Sequence, residues 1–169
     1  MYKYGVLISS DLGAVGKRKD TSGDLIKRLL AEPEYELIRY EIVPDEAISI
    51  EDRLIQWSDS DNLNFIITSG ATGLTDRDVM PEATMNVITR MVPGMAEAVR
   101  AYGLTKTPLA MLSRGIVGVR TKTLIINLPG SPKGVQDGMD VLMPILPHAI
   151  ELIKGQATSH DAGPSHRNS

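Results

Sequence analysis

The sequence contains no cysteine, which excludes disulfides, thiolate zinc sites and cysteine nucleophiles. It also lacks long apolar runs. The first such run, residues 5–8, is too short for a signal-peptide core or a membrane span. We therefore expect a soluble, cytoplasmic protein that does not contact membranes.

Charge of one sign is not concentrated anywhere. The chain has 18 basic and 21 acidic residues, a net charge of −3, spread along its length. No basic field is present that would favour nucleic acid or an anionic membrane. A chain of this kind that binds phosphates must do so locally, with backbone amides, a few cations or a metal ion.

The common nucleotide fingerprints are missing too. Neither G-x-x-x-x-G-K-[ST] nor G-x-G-x-x-G occurs. Histidine offers no catalytic pattern, because His160 and His166 lie near the chain end and His148 has no identifiable partner. A histidine-based triad or metal site is not supported.

The 169 residues, 42% of them apolar, fit one domain. We predict an ordered domain over residues 1–155 and a disordered tail over 156–169, which has no large apolar residue. Four apolar runs predict strands, and a weaker run predicts a fifth at Leu109–Leu112. The four are Tyr4–Ser9, Tyr35–Val43, Phe65–Thr68 and Thr123–Leu128.

Helical patterns lie between these strands. They are expected to begin at Thr21, Ser49, Pro81 and Gly94, and the last pattern, Lys133–Lys154, is interrupted by Pro144 and Pro147. Strand and helix alternation predicts an α/β fold: a single three-layer domain with a mostly parallel sheet. Ligands of such folds bind beyond the carboxyl ends of the strands.

Three loops leave predicted strand ends and are rich in Gly, Ser, Thr or Asp: Ser9–Gly16, Ser69–Asp78 and Pro129–Gly134. Residues 68–73, Thr-Ser-Gly-Ala-Thr-Gly, can point backbone amides at an anion, although a tight turn without a ligand fits them equally well. Residues 127–133 also allow two interpretations: a segment that binds an anion, or a strand–helix connection without a ligand. In the segment after the first predicted strand, Lys17, Arg18 and Lys19 could bind phosphate groups or could simply be exposed to solvent.

Two aspartates follow strands or lie in these loops, Asp45 and Asp78. Magnesium is usually held by one or two carboxylates together with substrate phosphates and water. Composition alone favours a turn or helix-entry role for Asp45.

Residues 68–84 closely resemble the signature of the molybdopterin adenylyltransferase family, which includes the gephyrin G-domain. Residues 112–120 and 127–135 look like its two later motifs, and the resemblance runs from about Tyr4 to Gly155. It implies a molybdenum-cofactor-biosynthesis fold that binds molybdopterin and transfers AMP to it from Mg-ATP, releasing pyrophosphate. It also implies assembly as trimers or hexamers.

The resemblance reverses the interpretation of Asp45. It implies catalytic and magnesium-binding roles for Asp45 and Asp78, with Mg²⁺ as cofactor and ATP as co-substrate. Nucleotide-binding roles are assigned to Asp11, Asp20 and Ser22. Substrate-binding roles are assigned to Ser69, Gly70, Thr72, Gly73, Ser113, Arg114, Asn127, Pro129, Gly130 and Ser131.

One residue departs from the family pattern: Ala71 stands where the family usually has glycine. If φ is positive there, alanine introduces strain on the order of 1 kcal/mol. A non-catalytic molybdopterin-binding module is therefore the alternative function. A pyrophosphatase of the related competence/damage-inducible type is a third possibility, which no residue specifically predicts.

Overall fold

A computed structural model describes residues 1–31 and 33–155 of the chain. Its six strands are β1 (Tyr2–Ser9), β2 (Tyr35–Val43), β3 (Phe65–Ser69), β4 (Arg90–Met91), β5 (Val117–Arg120) and β6 (Thr123–Leu128). They form one sheet in the order β2-β1-β3-β6-β5-β4. The first four in this order are parallel, whereas β5 runs antiparallel to both β6 and β4.

Helices cover both faces of the sheet, as the pattern predicted. They are α1 (Asp11–Ala14), α2 (Thr21–Leu29), α3 (Ala47–Asp59), α4 (Met80–Val87), α5 (Pro93–Leu104), α6 (Pro132–Leu142) and α7 (Leu146–Lys154). One core joins α2, α5, α6 and α7 to the sheet, and the other joins α3 and α4 to its opposite face. The three-layer α/β prediction is confirmed.

Continuous apolar strands are explained by these two cores. In β3, Phe65 and Ile67 pack into the first core while Ile66 packs into the second. All three side chains are fully buried. Successive side chains point to opposite faces of a strand, so a strand covered on both faces needs an unbroken apolar run.

The predicted strand at Leu109–Leu112 is wrong. This segment is a short 3-10 helix, Pro108–Leu112, and the Thr107 side chain accepts a hydrogen bond from the Leu109 N–H. Proline sets φ for a tight turn and lacks an N–H for a sheet ladder. Strands β4 and β5 were not predicted, because one has two residues and the other contains Gly118.

Helix boundaries were predicted to within a few residues, but the caps were not. Asp20, rather than Thr21, caps α2, and α3 begins at Ala47 without a side-chain cap. The predicted break in the last helical pattern is confirmed, since α6 and α7 are separate helices. No helix in the described residues is long and apolar enough to cross a membrane. The predicted tail, 156–169, lies outside the described residues.

Candidate active site

A cleft of about 370 Å³ lies at the carboxyl ends of the parallel strands. We call it the polar cleft. Seven of the predicted site residues border it. They are Asp20, Ser22, Asp45, Ser69, Gly70, Gly130 and Ser131.

Two glycines of the polar cleft lie where neighbouring main-chain segments approach closely. Gly70 has φ +101°, and a Cβ there would lie 2.3 Å from the Ser9 carbonyl oxygen. A Cβ on Gly130 would lie 3.2 Å from the Gly70 Cα. The Ser69 hydroxyl donates to the Pro129 carbonyl (2.8 Å) and fixes the two loops together. Glycine is needed here because neighbouring chain segments approach so closely.

Asp45 leaves the end of β2 and presents a half-buried carboxylate to the polar cleft. Its Oδ1 accepts from the Ser9 hydroxyl at 2.6 Å. Its Oδ2 accepts from the Asp11 N–H (3.3 Å), and the Asp45 N–H donates to Asp11 Oδ1 (3.0 Å). This reciprocal pair holds the loops after β1 and β2 together.

Asp11 also connects these loops to the loop after β3. The Arg77 guanidinium donates to Asp11 Oδ1 (2.6 Å) and to Oδ2 (3.1 Å). Hydrogen bonds from Arg77 hold the pKa of the Asp11 carboxyl below its usual value. Asp45 and the loop that carries Asp78 therefore lie at the same edge of the sheet, as adenylyl transfer would require.

The Asp78 carboxylate does not border the polar cleft but turns back onto its own loop. Its Oδ2 accepts from the Thr75 N–H (2.8 Å) and the Thr75 hydroxyl (2.6 Å). Burial alone would raise the pKa of Asp78, but hydrogen bonds from Thr75 and Gly73 and the charge of Arg114 lower it overall. The carboxylate is thus held ionised at the end of the loop.

Ala71 adopts φ +51°, the left-handed region that rarely suits a side chain. It is half-buried against the core beneath α3 and α4. Its carbonyl accepts from the Met80 N–H at 3.0 Å, which fixes this conformation. The backbone here is therefore one that glycine adopts more easily than alanine, and strain on the order of 1 kcal/mol follows.

Two predicted substrate-binding residues have their polar atoms engaged within the protein. Asn127 is 5% exposed. Its Nδ2 donates to the hydroxyls of Thr68 (3.0 Å) and Thr84 (2.9 Å), and its Oδ1 accepts from the Ile116 N–H (3.2 Å). Arg114 holds backbone carbonyls of the 70–78 loop. Both residues therefore stabilise the loops and strand ends of the site through hydrogen bonds within the protein.

Positive charge reaches the polar cleft from two sources. Arg18 and Lys19 border it, which favours the functional interpretation of that loop for these two residues. Helix α6 begins there at Pro132 with Ser131 as its cap, and the amino end of a helix attracts anions.

The amino end of α2 also borders the polar cleft, but Asp20 occupies it. The Asp20 carboxylate accepts from the N–H groups of Ser22 (3.1 Å) and Gly23 (2.9 Å) and from the Tyr40 hydroxyl (2.7 Å). Burial, together with Asp20, raises the pKa of Tyr40, so Tyr40 remains a donor. An incoming anion therefore meets α6, Arg18 and Lys19 rather than α2.

A second cavity of about 260 Å³ adjoins the polar cleft, and Ser131 borders both. We call it the apolar pocket. Its walls come from α5, the 3-10 helix and α6, and include Val99, Leu109 and Ala110. The predicted residues Ser113 and Pro129 lie here, together with Lys133.

The donor set of the polar cleft fits magnesium with a phosphate. No three His, Asp or Glu side chains cluster in the described residues in a way that would hold a metal alone. Asp45 can supply one carboxylate, and magnesium commonly takes its other ligands from water and substrate phosphates. Asp78 would have to turn toward the cleft before it could join, since its carboxylate does not border it.

Sequence reasoning missed several residues of the site. Ser9, Arg77 and Glu82 form hydrogen bonds with partners that are 36, 66 and 32 positions away. Local patterns carry no signal for such pairs. Ser9 alone could have been suspected, since it ends a buried strand.

Comparisons with known proteins agree with this geometry. Residues 5–148 match the family described as "Probable molybdopterin binding domain". The chain is 41% identical to a molybdopterin adenylyltransferase of Helicobacter pylori, over 89% of this chain and 87% of the relative. It is 39% identical to gephyrin of Dictyostelium discoideum, over 92% of this chain but 23% of that protein.

The crystal structure of the molybdopterin biosynthesis enzyme MoaB from Thermus thermophilus has the same fold. The TM-score is 0.87 at 48% identity, covering 92% of this chain and 98% of the other. Family and fold therefore agree over almost all of the described residues. This chain belongs to the molybdopterin-binding domain family of molybdenum cofactor biosynthesis.

Proposed function

We propose that this protein is a molybdopterin adenylyltransferase. In this reaction a terminal phosphate oxygen of molybdopterin attacks the α-phosphorus of ATP. The bond from the α-phosphorus to the bridging oxygen breaks, and pyrophosphate leaves. A phosphate monoester is largely deprotonated at neutral pH, so the nucleophile needs no general base.

One arrangement carries the proposal. A carboxylate, the amino end of α6 and glycine-bearing strand ends meet at one cleft, in a chain 41% identical to a molybdopterin adenylyltransferase. Catalysis of phosphoryl-group transfer consists mainly of positioning and charge stabilisation. The polar cleft offers both kinds of group for the phosphates.

The two cavities suggest a division of labour. The polar cleft would take the phosphates, with Arg18, Lys19 and the amino end of α6 balancing their charge. The apolar pocket would take a flat ring, against Val99 and Leu109. Mg²⁺, held by Asp45 and joined by Asp78, would neutralise charge on the phosphates.

The direct test incubates the protein with molybdopterin and Mg-ATP and assays adenylylated pterin and pyrophosphate. We expect both products in equal amounts, and none when magnesium is chelated. Binding of molybdopterin without product would refute the transferase activity.

That second outcome would support the alternative, a non-catalytic molybdopterin-binding module. Two observations favour it: the left-handed backbone at Ala71, and the Asp78 carboxylate turned onto Thr75. Substrate binding without turnover by the wild-type protein, with turnover gained in Ala71→Gly, would identify Ala71 as the cause.

We also propose that the chain assembles as trimers or hexamers in the cytoplasm. Exposed apolar side chains of the 3-10 helix support the assembly, since Leu109 and Met111 are 68% and 63% exposed. Large exposed apolar patches commonly mark protein contacts. Sedimentation of a monomer at micromolar concentration would refute the assembly.

A further inference from the structure

Three carbonyls of the loop between β3 and α4, residues 70–79, accept hydrogen bonds from one residue, Arg114. Arg114 lies 36 positions after Asp78, in the segment that precedes β5. Its backbone N–H donates to the Thr72 carbonyl at 3.0 Å. Its guanidinium donates through Nε to the Gly73 carbonyl (2.7 Å) and through Nη2 to the Asp78 carbonyl.

Glu82 fixes the guanidinium in this position. Nη1 donates to Glu82 Oε1, and Nη2 lies 3.4 Å from Oε2. The hydrogen bond from Arg114 keeps the pKa of Glu82 below its usual value. Arginine presents five donors in a rigid plane, and four hydrogen bonds to the loop and Glu82 use most of them. Little capacity is left for a substrate phosphate.

The peptide between Thr72 and Gly73 connects Arg114 with Asp78. In a trans peptide the carbonyl and the N–H point in opposite directions. The Thr72 carbonyl faces Arg114, so the Gly73 N–H points away from it. Gly73 also lies against the Asp78 carboxylate, since a Cβ built on it would lie 2.9 Å from Oδ2. Arg114 thus holds Asp78 in two ways: directly through the Asp78 carbonyl, and indirectly through the peptide that packs against the Asp78 carboxylate.

We infer that Arg114 is a positioning residue that holds Asp78 and the Thr72–Gly73 peptide for AMP transfer, without binding substrate. This inference rests on the proposed adenylyltransferase activity. Lysine cannot replace arginine, because one ammonium cannot span the Gly73 carbonyl, the Asp78 carbonyl and Glu82 together. Glu82 is the partner that keeps the guanidinium in register.

The test measures kcat and KM for ATP and molybdopterin in Arg114→Lys, Asp78→Asn and the double variant. Misplacement of a catalytic group by about 1 Å costs about 100-fold in rate. We expect kcat of Arg114→Lys to fall by about that factor, with both KM values within about threefold of wild type. The double variant should be no slower than Asp78→Asn, because residues that act as a unit are not additive.

Arg120→Lys is the matched control. Arg120 holds the Val87 carbonyl (2.8 Å) and the Asp59 carboxylate at the opposite end of β5, in the same manner. We expect it to lose a similar amount of stability in urea unfolding and to keep the wild-type kcat. Glu82→Gln should lower kcat in the same direction as Arg114→Lys but by a smaller factor.

The possible failures can be told apart. Wild-type protein that makes no adenylylated pterin would overturn the proposed function. Active wild type with an Arg114→Lys variant of equal kcat would overturn only the role of Arg114. A rise of tenfold or more in either KM, or a double variant much slower than Asp78→Asn, would also overturn it, since both results indicate direct contact with substrate.

Discussion

The two ends of the sheet carry similar residues but use them differently. At the amino end, Asp59 and Asp61 are each paired with an arginine, Arg120 and Arg39. At the carboxyl end, Asp45 faces the polar cleft, and no ion pair joins Arg18 or Lys19 to a carboxylate in residues 1–31 and 33–155. The carboxyl end also has paired charges, Asp11–Arg77 and Glu82–Arg114. What distinguishes it, in the described part of the chain, is that charged side chains without an ion pair face its cleft.

This difference separates stability from activity. A bidentate arginine–carboxylate pair restricts its two side chains to one geometry. Charges that remain unpaired in a cleft can instead balance those of a ligand. Substitution of a paired charge at the amino end should therefore change the free energy of unfolding, and substitution of an unpaired charge in the polar cleft should change kcat.

The largest expected effect is at Asp45. Asp45→Asn should lower kcat for AMP transfer by about 100- to 1000-fold, as removal of a preorganised charged group does. Its free energy of unfolding should change by less than about 1 kcal/mol, since asparagine can still accept from the Ser9 hydroxyl. Asp61→Asn is the control, with reduced stability and wild-type kcat. Equal kcat in both variants would break the comparison.

Gly70→Ala should be the most destabilising single change at the carboxyl end. Its Cβ would lie 2.3 Å from the Ser9 carbonyl oxygen, at φ +101°. We expect a loss of about 3 kcal/mol in the free energy of unfolding, from strain and from the clash with backbone. Gly94→Ala, where a Cβ meets nothing within 4 Å, is the control in the same urea titration. A smaller loss of unfolding free energy than in Gly94→Ala would show that the main chain at Gly70 can move away from Ser9.

Sequence reasoning located this carboxyl end well. The bounds of β2 and β6 were predicted as they are found, and those of β3 to within one residue. Buried parallel strands leave a strong local signal in their apolar runs. The strand ends located the loops that carry Asp45, Gly70 and Gly130, but their roles in the site came from the family resemblance, since composition alone favoured a turn role for Asp45.

The rest of the site depends on contacts that no local pattern encodes. The position of Asp78 toward Thr75 is decided by the loop's fold, and that fold depends on Arg114, 36 residues later. Likewise, the sequence places Asn127 near the end of a strand but does not predict that its amide is buried against Thr68 and Thr84. Family resemblance named these residues without distinguishing contact from support.

Ala71 gives a smaller effect. Ala71→Gly should raise the free energy of unfolding by about 0.5–1 kcal/mol, because glycine adopts φ +51° without strain. Asn62→Gly, at φ +52° near the amino end, is the matched control and should gain less, since asparagine tolerates this region. Thermal or urea unfolding measures both. A loss of stability in Ala71→Gly would show that the packing of its methyl group outweighs the strain.

The smallest expected effect is on the stability of the protein at acid pH. Hydrogen bonds from Arg120 lower the pKa of Asp59, and those from Arg39 lower that of Asp61. A carboxyl with a lower pKa when folded stabilises the protein fully above its unfolded value of about 3.9, and this contribution is lost as pH falls through the folded pKa. Each pair should contribute less than about 1 kcal/mol, because the pairs are partly exposed.

The pH series that tests this compares wild type, Asp59→Asn and, as control, the exposed Asp52→Asn. Urea midpoints should be level from pH 7 to 5 and fall below pH 4. The fall should be shallower in Asp59→Asn. Identical slopes in all three proteins would remove Asp59 from the acid response.

The close approach of the Gly70 and Gly130 main chains limits how the substrate preference of this protein could be redesigned. Neither glycine has a side chain that could be shortened, and any added side chain would lie too close to the neighbouring main chain. New substrate preferences would have to be introduced around the rim, at Arg18, Lys19 or Lys133, whose side chains are exposed. A library confined to these rim positions should keep its members folded while it varies what they accept.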